Sequence, residues 1–132
     1  MGGSASESLQ KYAAVLGASG VALGALGSHA LKDTLSKGNH LESWRTAIAY
    51  QLFHATALIG MAALAEARQD ESLMRAGQYM AVGSLMFSGS IYGLCLGVGP
   101  KKVLGPTTPI GGMLMIGGWV LLGLAAPQKD KK

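Results

Sequence analysis

Acidic side chains are missing from the apolar parts of this 132-residue chain. Its seven carboxylates (Glu7, Asp33, Glu42, Glu66, Asp70, Glu71 and Asp130) all lie outside four long apolar runs or at their margins. A hydrolase triad needs an orienting acid beside its base, and a proton-coupled exporter needs an intramembrane carboxylate, so neither is expected here. Cysteine occurs once, at Cys95 inside an apolar run, which excludes an intrachain disulfide. Charged residues are only 14% of the chain, against about 25% in an ordinary soluble domain. No phosphate-cradling loop is present, and no His, Cys, Asp and Glu stand at metal-ligand spacing, so neither a metal nor another cofactor is expected.

What is abundant is apolar and small. Hydrophobic residues make up 49%, and the 20 glycines sit among Leu, Ala, Ile and Met rather than among Ser and Gln. That setting suits close packing of membrane helices. The apolar runs cover 12–31, 44–65, 73–98 and 107–126. A bilayer crossing takes about 20 mostly apolar residues, so each run is long enough. The predicted fold is all-α: one integral membrane domain of four transmembrane helices over 12–126, between a polar tail (1–11) and a basic one (127–132). The first run is longer than a signal-peptide core and has regularly spaced glycines, so it reads as a span. Gly2 fits a myristoylation pattern, but four helices already anchor the chain, and a plain polar terminus is the simpler reading.

The formal charge of +4 does not point to nucleic acid. The basic residues sit beside membrane boundaries, where they contact headgroups, and the expected partner is the lipid bilayer. Lys11, Arg68, Arg75, Lys129, Lys131 and Lys132 fall on one side; Lys32, Lys37, Arg45, Lys101 and Lys102 fall on the other. Six against five leaves the orientation open.

In the first helix Gly20 and Gly24 form a Gly-xxx-Gly pair, and Ala18, Ala22 and Ala25 make a second small face, so burial on two sides is expected. Gly89, Gly93 and Gly97 repeat at intervals of four on the third helix and give the strongest packing signal. Trp44 and Arg45 read as interface anchors opening helix two. The loop Gly99–Pro106 is punctuated at both ends, so helix four is expected to start at Thr107 or Thr108, with Pro109 in its first turn.

Polar groups inside a membrane are costly and are functional candidates for that reason. His54 lies ten residues past Trp44, roughly 15 Å along the helix and near mid-bilayer. Tyr50 shares its face, Gln51 is adjacent, and Tyr92 of helix three completes a candidate polar cluster. Such a cluster either ties helices together or serves a ligand or proton relay. His29 is about 12 Å out of level with His54 by helix rise and reads as an interfacial residue bonded to loop backbone or to Trp44 and Arg45. Ser88 and Ser90 can bond carbonyls or reach across helices. Cys95 reads as a packing residue.

Several motifs occur in order: Leu23-Gly24-Ala25-Leu26-Gly27-Ser28-His29, then Trp44-Arg45-Thr46-Ala47 leading to Tyr50-Gln51-Leu52-Phe53-His54. Phe87-Ser88-Gly89-Ser90-Ile91-Tyr92 follows, and Thr108-Pro109-Ile110-Gly111-Gly112 with Gly118-Trp119 ends the series. This set resembles the domain of unknown function 423 family over about residues 12–125. The resemblance implies four transmembrane helices in a bacterial inner membrane or a eukaryotic membrane, the mitochondrial among them, and no established activity or catalytic residue. Two functions are weighed. The favoured one is a non-enzymatic structural or accessory subunit, in a homo-oligomer or a larger membrane complex. The alternative is a small transporter or a lipid- or quinone-like cofactor-binding protein organised around His54.

Overall fold

A computed structural model describes residues 4–127. It contains α1 (Ala5–Ser28), α2 (Lys32–Lys37), α3 (Leu41–Arg68), α4 (Leu73–Leu96) and α5 (Lys101–Leu124). All but α2 are long and apolar enough to cross a membrane, so the chain is an all-α, four-span integral membrane domain. Gly2 and most of the basic tail lie outside the described residues.

Helix α1 starts seven residues before the expected boundary, and the polar tail is largely its first two turns. Ser4 and Glu7 form a reciprocal capping box. Glu71, from the α3–α4 loop, also accepts from the Ala5 amide at 2.9 Å, placing a carboxylate at the positive end of the helix. Leu9 in this segment is fully buried beside Gly77 of α4, where any Cβ would collide with its side chain. Within the α3–α4 loop, the Ser72 hydroxyl and amide both bond the Asp70 carboxylate and hold its pKa below the usual carboxylate range.

The start of α5 departs further from expectation. The helix begins at Lys101, behind Pro100, and carries Pro106 and Pro109 inside it. Those prolines withhold amides from the carbonyls of Lys102 and Gly105. In a membrane helix, Ser/Thr side chains and neighbouring helices can make up for such losses. The Thr107 and Thr108 hydroxyls bond back to Val103 O (2.6 Å) and Leu104 O (3.3 Å), so they brace the helix interior and do not cap its end.

The helices pack in the order α1, α3, α4, α5, and α1 also touches α4. Two apolar clusters form. One, around Leu9, Leu16, Leu58, Met61 and Met80, lies toward the α3–α4 loop. The other, around Leu35, Trp44, Tyr92 and Cys95, lies toward α2. The buried polar residues Gln51, His54, Ser84 and Ser88 fall between them. This belt sits at the middle of α3, so the protein carries its polar groups at mid-bilayer depth.

Glycine contacts decide how close the helices come. A Cβ on Gly83 would fall 2.7 Å from Gly111 O and Met115 N, and one on Gly118 would fall 2.9 Å from Ala76 O. Gly111 is equally closed, against the Phe87 amide. The α4–α5 pair therefore meets backbone to backbone at Gly83/Gly111 and Ala76/Gly118, in antiparallel register. The expected Gly89-Gly93-Gly97 face does not make this contact. Gly89 faces open space, Gly93 lies against the Leu104 side chain, and Gly97 ends α4 in the left-handed region at φ 68°. Gly20 takes the Leu52 side chain, and Gly24 meets Ile48 at 3.6 Å. The second face of α1 is uncovered: Ala18, Ala22 and Ala25 are exposed.

Candidate functional site

The polar belt is built from helix periodicity. Gln51 and His54 stand three apart on α3, and both are buried, 4% and 3% exposed. Gln51 Nε2 donates to Leu16 O at 2.9 Å and to Ser19 Oγ at 2.7 Å. Its Oε1 accepts the Tyr92 hydroxyl at 2.7 Å. One amide therefore ties α1, α3 and α4 together.

His54 turns toward α5. Its Nδ1 lies 2.8 Å from the Tyr50 carbonyl, and its Nε2 lies 3.1 Å from Trp119 Nε1. A carbonyl only accepts and an indole N–H only donates, so these partners dictate the neutral tautomer with the proton on Nδ1. The ring also sits edge-on to Phe53 and Trp119, with centroids 5.6 and 5.9 Å away. Tyr50 contributes its carbonyl to this group. Its side chain is 47% exposed and packs on Phe87 at 4.9 Å. The four residues grouped from sequence thus fall into two units: Gln51 with Tyr92 on the α1 side, and His54 with the Tyr50 carbonyl, joined there by Trp119 of α5.

The serines of α4 extend the belt. Ser88 donates to Ala47 O at 2.7 Å, and Ser84 lies 3.6 Å from Met115 Sδ. Ser90 and Thr108 share a hydrogen bond of 2.5 Å; the hydroxyl that accepts in it donates its own proton to a carbonyl of its helix, Phe87 O for Ser90 or Leu104 O for Thr108. Among the described residues, no buried side-chain nitrogen or oxygen lacks a partner.

Trp44 is not an interface anchor. It is 1% exposed, its indole N–H bonds Leu23 O at 3.0 Å, and its ring lies 4.7 Å from Tyr92. Gly27 makes room for it, since a Cβ there would strike the indole nitrogen. Arg45 is exposed beside it. His29 is exposed at the end of α1, where its backbone amide caps the helix, and it makes no bond to Trp44. Cys95 points its thiol at His40 O, 3.7 Å away. Pro109 lies exposed within α5, and Gly112 one turn on meets only the Phe87 ring edge.

Ser19, Ser84 and Met115 belong to this belt but were not singled out by sequence. Ser19 carries a weak signal, since it is the one hydroxyl among the small residues between Gly17 and Gly27. The Trp119–His54 contact has no local signal, because it links positions 65 apart.

A family described as a protein of unknown function, DUF423, matches residues 23–112. UPF0382 membrane protein C1782.12c of Schizosaccharomyces pombe is 42% identical over 113 residues, covering 83% of this chain and 93% of its own. The UPF0382 inner membrane protein YgdD of Escherichia coli is 34% identical over 122 residues, covering 92% and 90%. UPF0382 membrane protein YwdK of Bacillus subtilis is 36% identical over 107 residues, covering 80% and 85%. No solved structure matches.

Proposed function

This chain belongs to the DUF423 family of membrane proteins of unknown function, and from that starting point we propose that it is a non-enzymatic structural or accessory membrane subunit. One observation carries this reading: the buried polar side chains are engaged in bonds that tie one helix to another or to its own backbone. His54 is the key case: Nδ1 is held by the Tyr50 carbonyl of its own helix, and freeing Nε2 for a metal, a haem or a proton relay breaks the contact with Trp119 of α5. The runner-up, a transporter or quinone-type site organised around His54, would need that nitrogen. The outward face of α1 supports docking of another helix, because Ala14, Ala18, Ala22 and Ala25 let a neighbour's backbone approach closely.

The test is purification of the full chain from its native membrane in mild detergent, followed by native sizing and an absorbance spectrum. The expected result is migration in an assembly larger than the single chain with no visible chromophore. A species of single-chain size carrying a stoichiometric chromophore would overturn the reading.

A further inference from the structure

Because α5 is held to α4 through Gly83/Gly111 and Ala76/Gly118, it meets α3 chiefly through Trp119 on Phe53 and His54. Among the recesses left between α3 and α5 in the described residues, two lie in line toward the α2 end. The first, about 490 Å³, lies at the α2 end and is lined by Glu42, Ser43 and Thr46 of α3, Cys95 of α4, and Gly105 and Thr108 of α5. The second, about 380 Å³, lies deeper, among Ala49, Tyr50, Phe53, His54 and Trp119.

One stripe of α3 serves both recesses: Glu42, Thr46, Ala49 and Phe53 follow at helical intervals. On α5, Trp119 lies three turns beyond Thr108 on the same face. From Glu42 to His54 is about 18 Å of helix rise. That is close to the roughly 15 Å of hydrocarbon that one leaflet contributes. The two recesses, in line along α3, together span from an interface to the bilayer midplane, the reach of one acyl chain.

Its polarity changes along the way. The deep end is mainly aromatic; His54 and Trp119 are bonded to each other there, and the Tyr50 ring completes the lining. The interfacial end is polar: Glu42 is the one acidic side chain in its lining, beside His40 and the hydroxyls of Ser43, Thr46 and Thr108, and the Gly105 carbonyl gets no amide from Pro109. An occupant therefore needs a cationic head with N–H donors and an apolar tail.

We propose that the α3–α5 groove seats one phospholipid with a primary-amine head, its ammonium at Glu42 and Gly105 O and one acyl chain laid down to Trp119. This rests on the groove and is independent of the accessory-subunit reading. A choline head carries charge but no N–H, and a glycerol head carries neither, so the seat discriminates among them.

Trp119 reports occupancy, since it lines the deep end and the protein's other tryptophan, Trp44, is enclosed. The full chain is reconstituted in phosphatidylcholine vesicles with graded amounts of brominated-acyl phosphatidylethanolamine, phosphatidylglycerol or phosphatidylcholine, and tryptophan quenching is followed. Trp119→Phe identifies the signal. The brominated ethanolamine lipid is expected to quench at about a three- to five-fold lower mole fraction than the other two, and Glu42→Gln to erase that difference. Equal quenching by all three would overturn the proposal and make the groove ordinary boundary contact. A preference that survives Glu42→Gln would overturn the assignment of the head.

Discussion

Tyr92 gives its phenolic proton to Gln51 Oε1 across 2.7 Å, and the other end of the same amide reaches α1. The bond joins α4 to α3 beside a polar tie that already joins α3 to α1. Tyr92→Phe is expected to lower stability by about 0.6 to 1.7 kcal/mol, the range for one interhelical hydrogen bond in a membrane. Gln51→Leu takes the acceptor from the buried Tyr92 hydroxyl and the interhelical donor from Leu16 O and Ser19 Oγ, and is expected to cost more, about 2 kcal/mol. Unfolding of the purified chain in mixed micelles measures both.

The glycines separate into two classes by what a methyl group would meet. Gly83→Ala and Gly111→Ala push against backbone that cannot move aside, and each is expected to destabilise by about 1–3 kcal/mol. Gly89→Ala enters open space and gains helix propensity, so it should be neutral or stabilising by up to about 1 kcal/mol. Melting temperatures of the three variants check the ranking, and equal losses at all three would contradict it.

That ranking also marks where the sequence was legible. Four apolar runs without carboxylates specify four crossings whatever the packing, because hydrocarbon excludes an unpaired charge. Which glycine face is buried depends on where the partner helix lies. Gly89, Gly93 and Gly97 repeat cleanly, yet α5 crosses one face over, at Ala76/Gly83 and Gly111/Gly118. Those pairs are each seven apart, two turns, and only matching them across two helices reveals the contact. Trp44 misled for a similar reason: position near a boundary fixes depth, and the space left by Gly27 on α1 decides that the indole points inward. Pro106 reads as a helix breaker because the hydroxyls that brace α5 act only once the helix exists. The polar candidates Gln51, His54 and Tyr92 stood out because hydrocarbon makes them costly, but their division into two units required the positions of α1 and α5.

Trp44 and Gly27 form a testable pair. Gly27→Ala places a methyl on the indole and is expected to destabilise by about 1–3 kcal/mol. Combined with Trp44→Leu, which removes the obstructing ring, the penalty of Gly27→Ala should largely disappear. A double-mutant cycle by thermal unfolding is expected to give a coupling of about 0.5–3 kcal/mol, and strict additivity would contradict the contact.

The α3–α4 loop should respond to acid. Ser72 bonds stabilise the Asp70 carboxylate, so its folded pKa lies below the unfolded one. The stabilising effect is thus complete above the ordinary aspartate value of about 4 and is lost as pH falls through the lower folded value. Protection of the Ser72 amide from hydrogen exchange is expected to fall over that acidic window, and Ser72→Ala should move the Asp70 titration upward toward the ordinary value.

The His54–Trp119 bond ties α3 to α5, and nitrogen-15 spectra of histidine-labelled protein at neutral pH test that most directly. Trp119→Phe assigns the His54 signals by shifting them. A proton on Nδ1 with Nε2 as the unprotonated acceptor is the predicted result, with the Nε2 signal the one that moves when the indole is removed. An Nε2–H tautomer, an imidazolium, or signals indifferent to Trp119→Phe would contradict it.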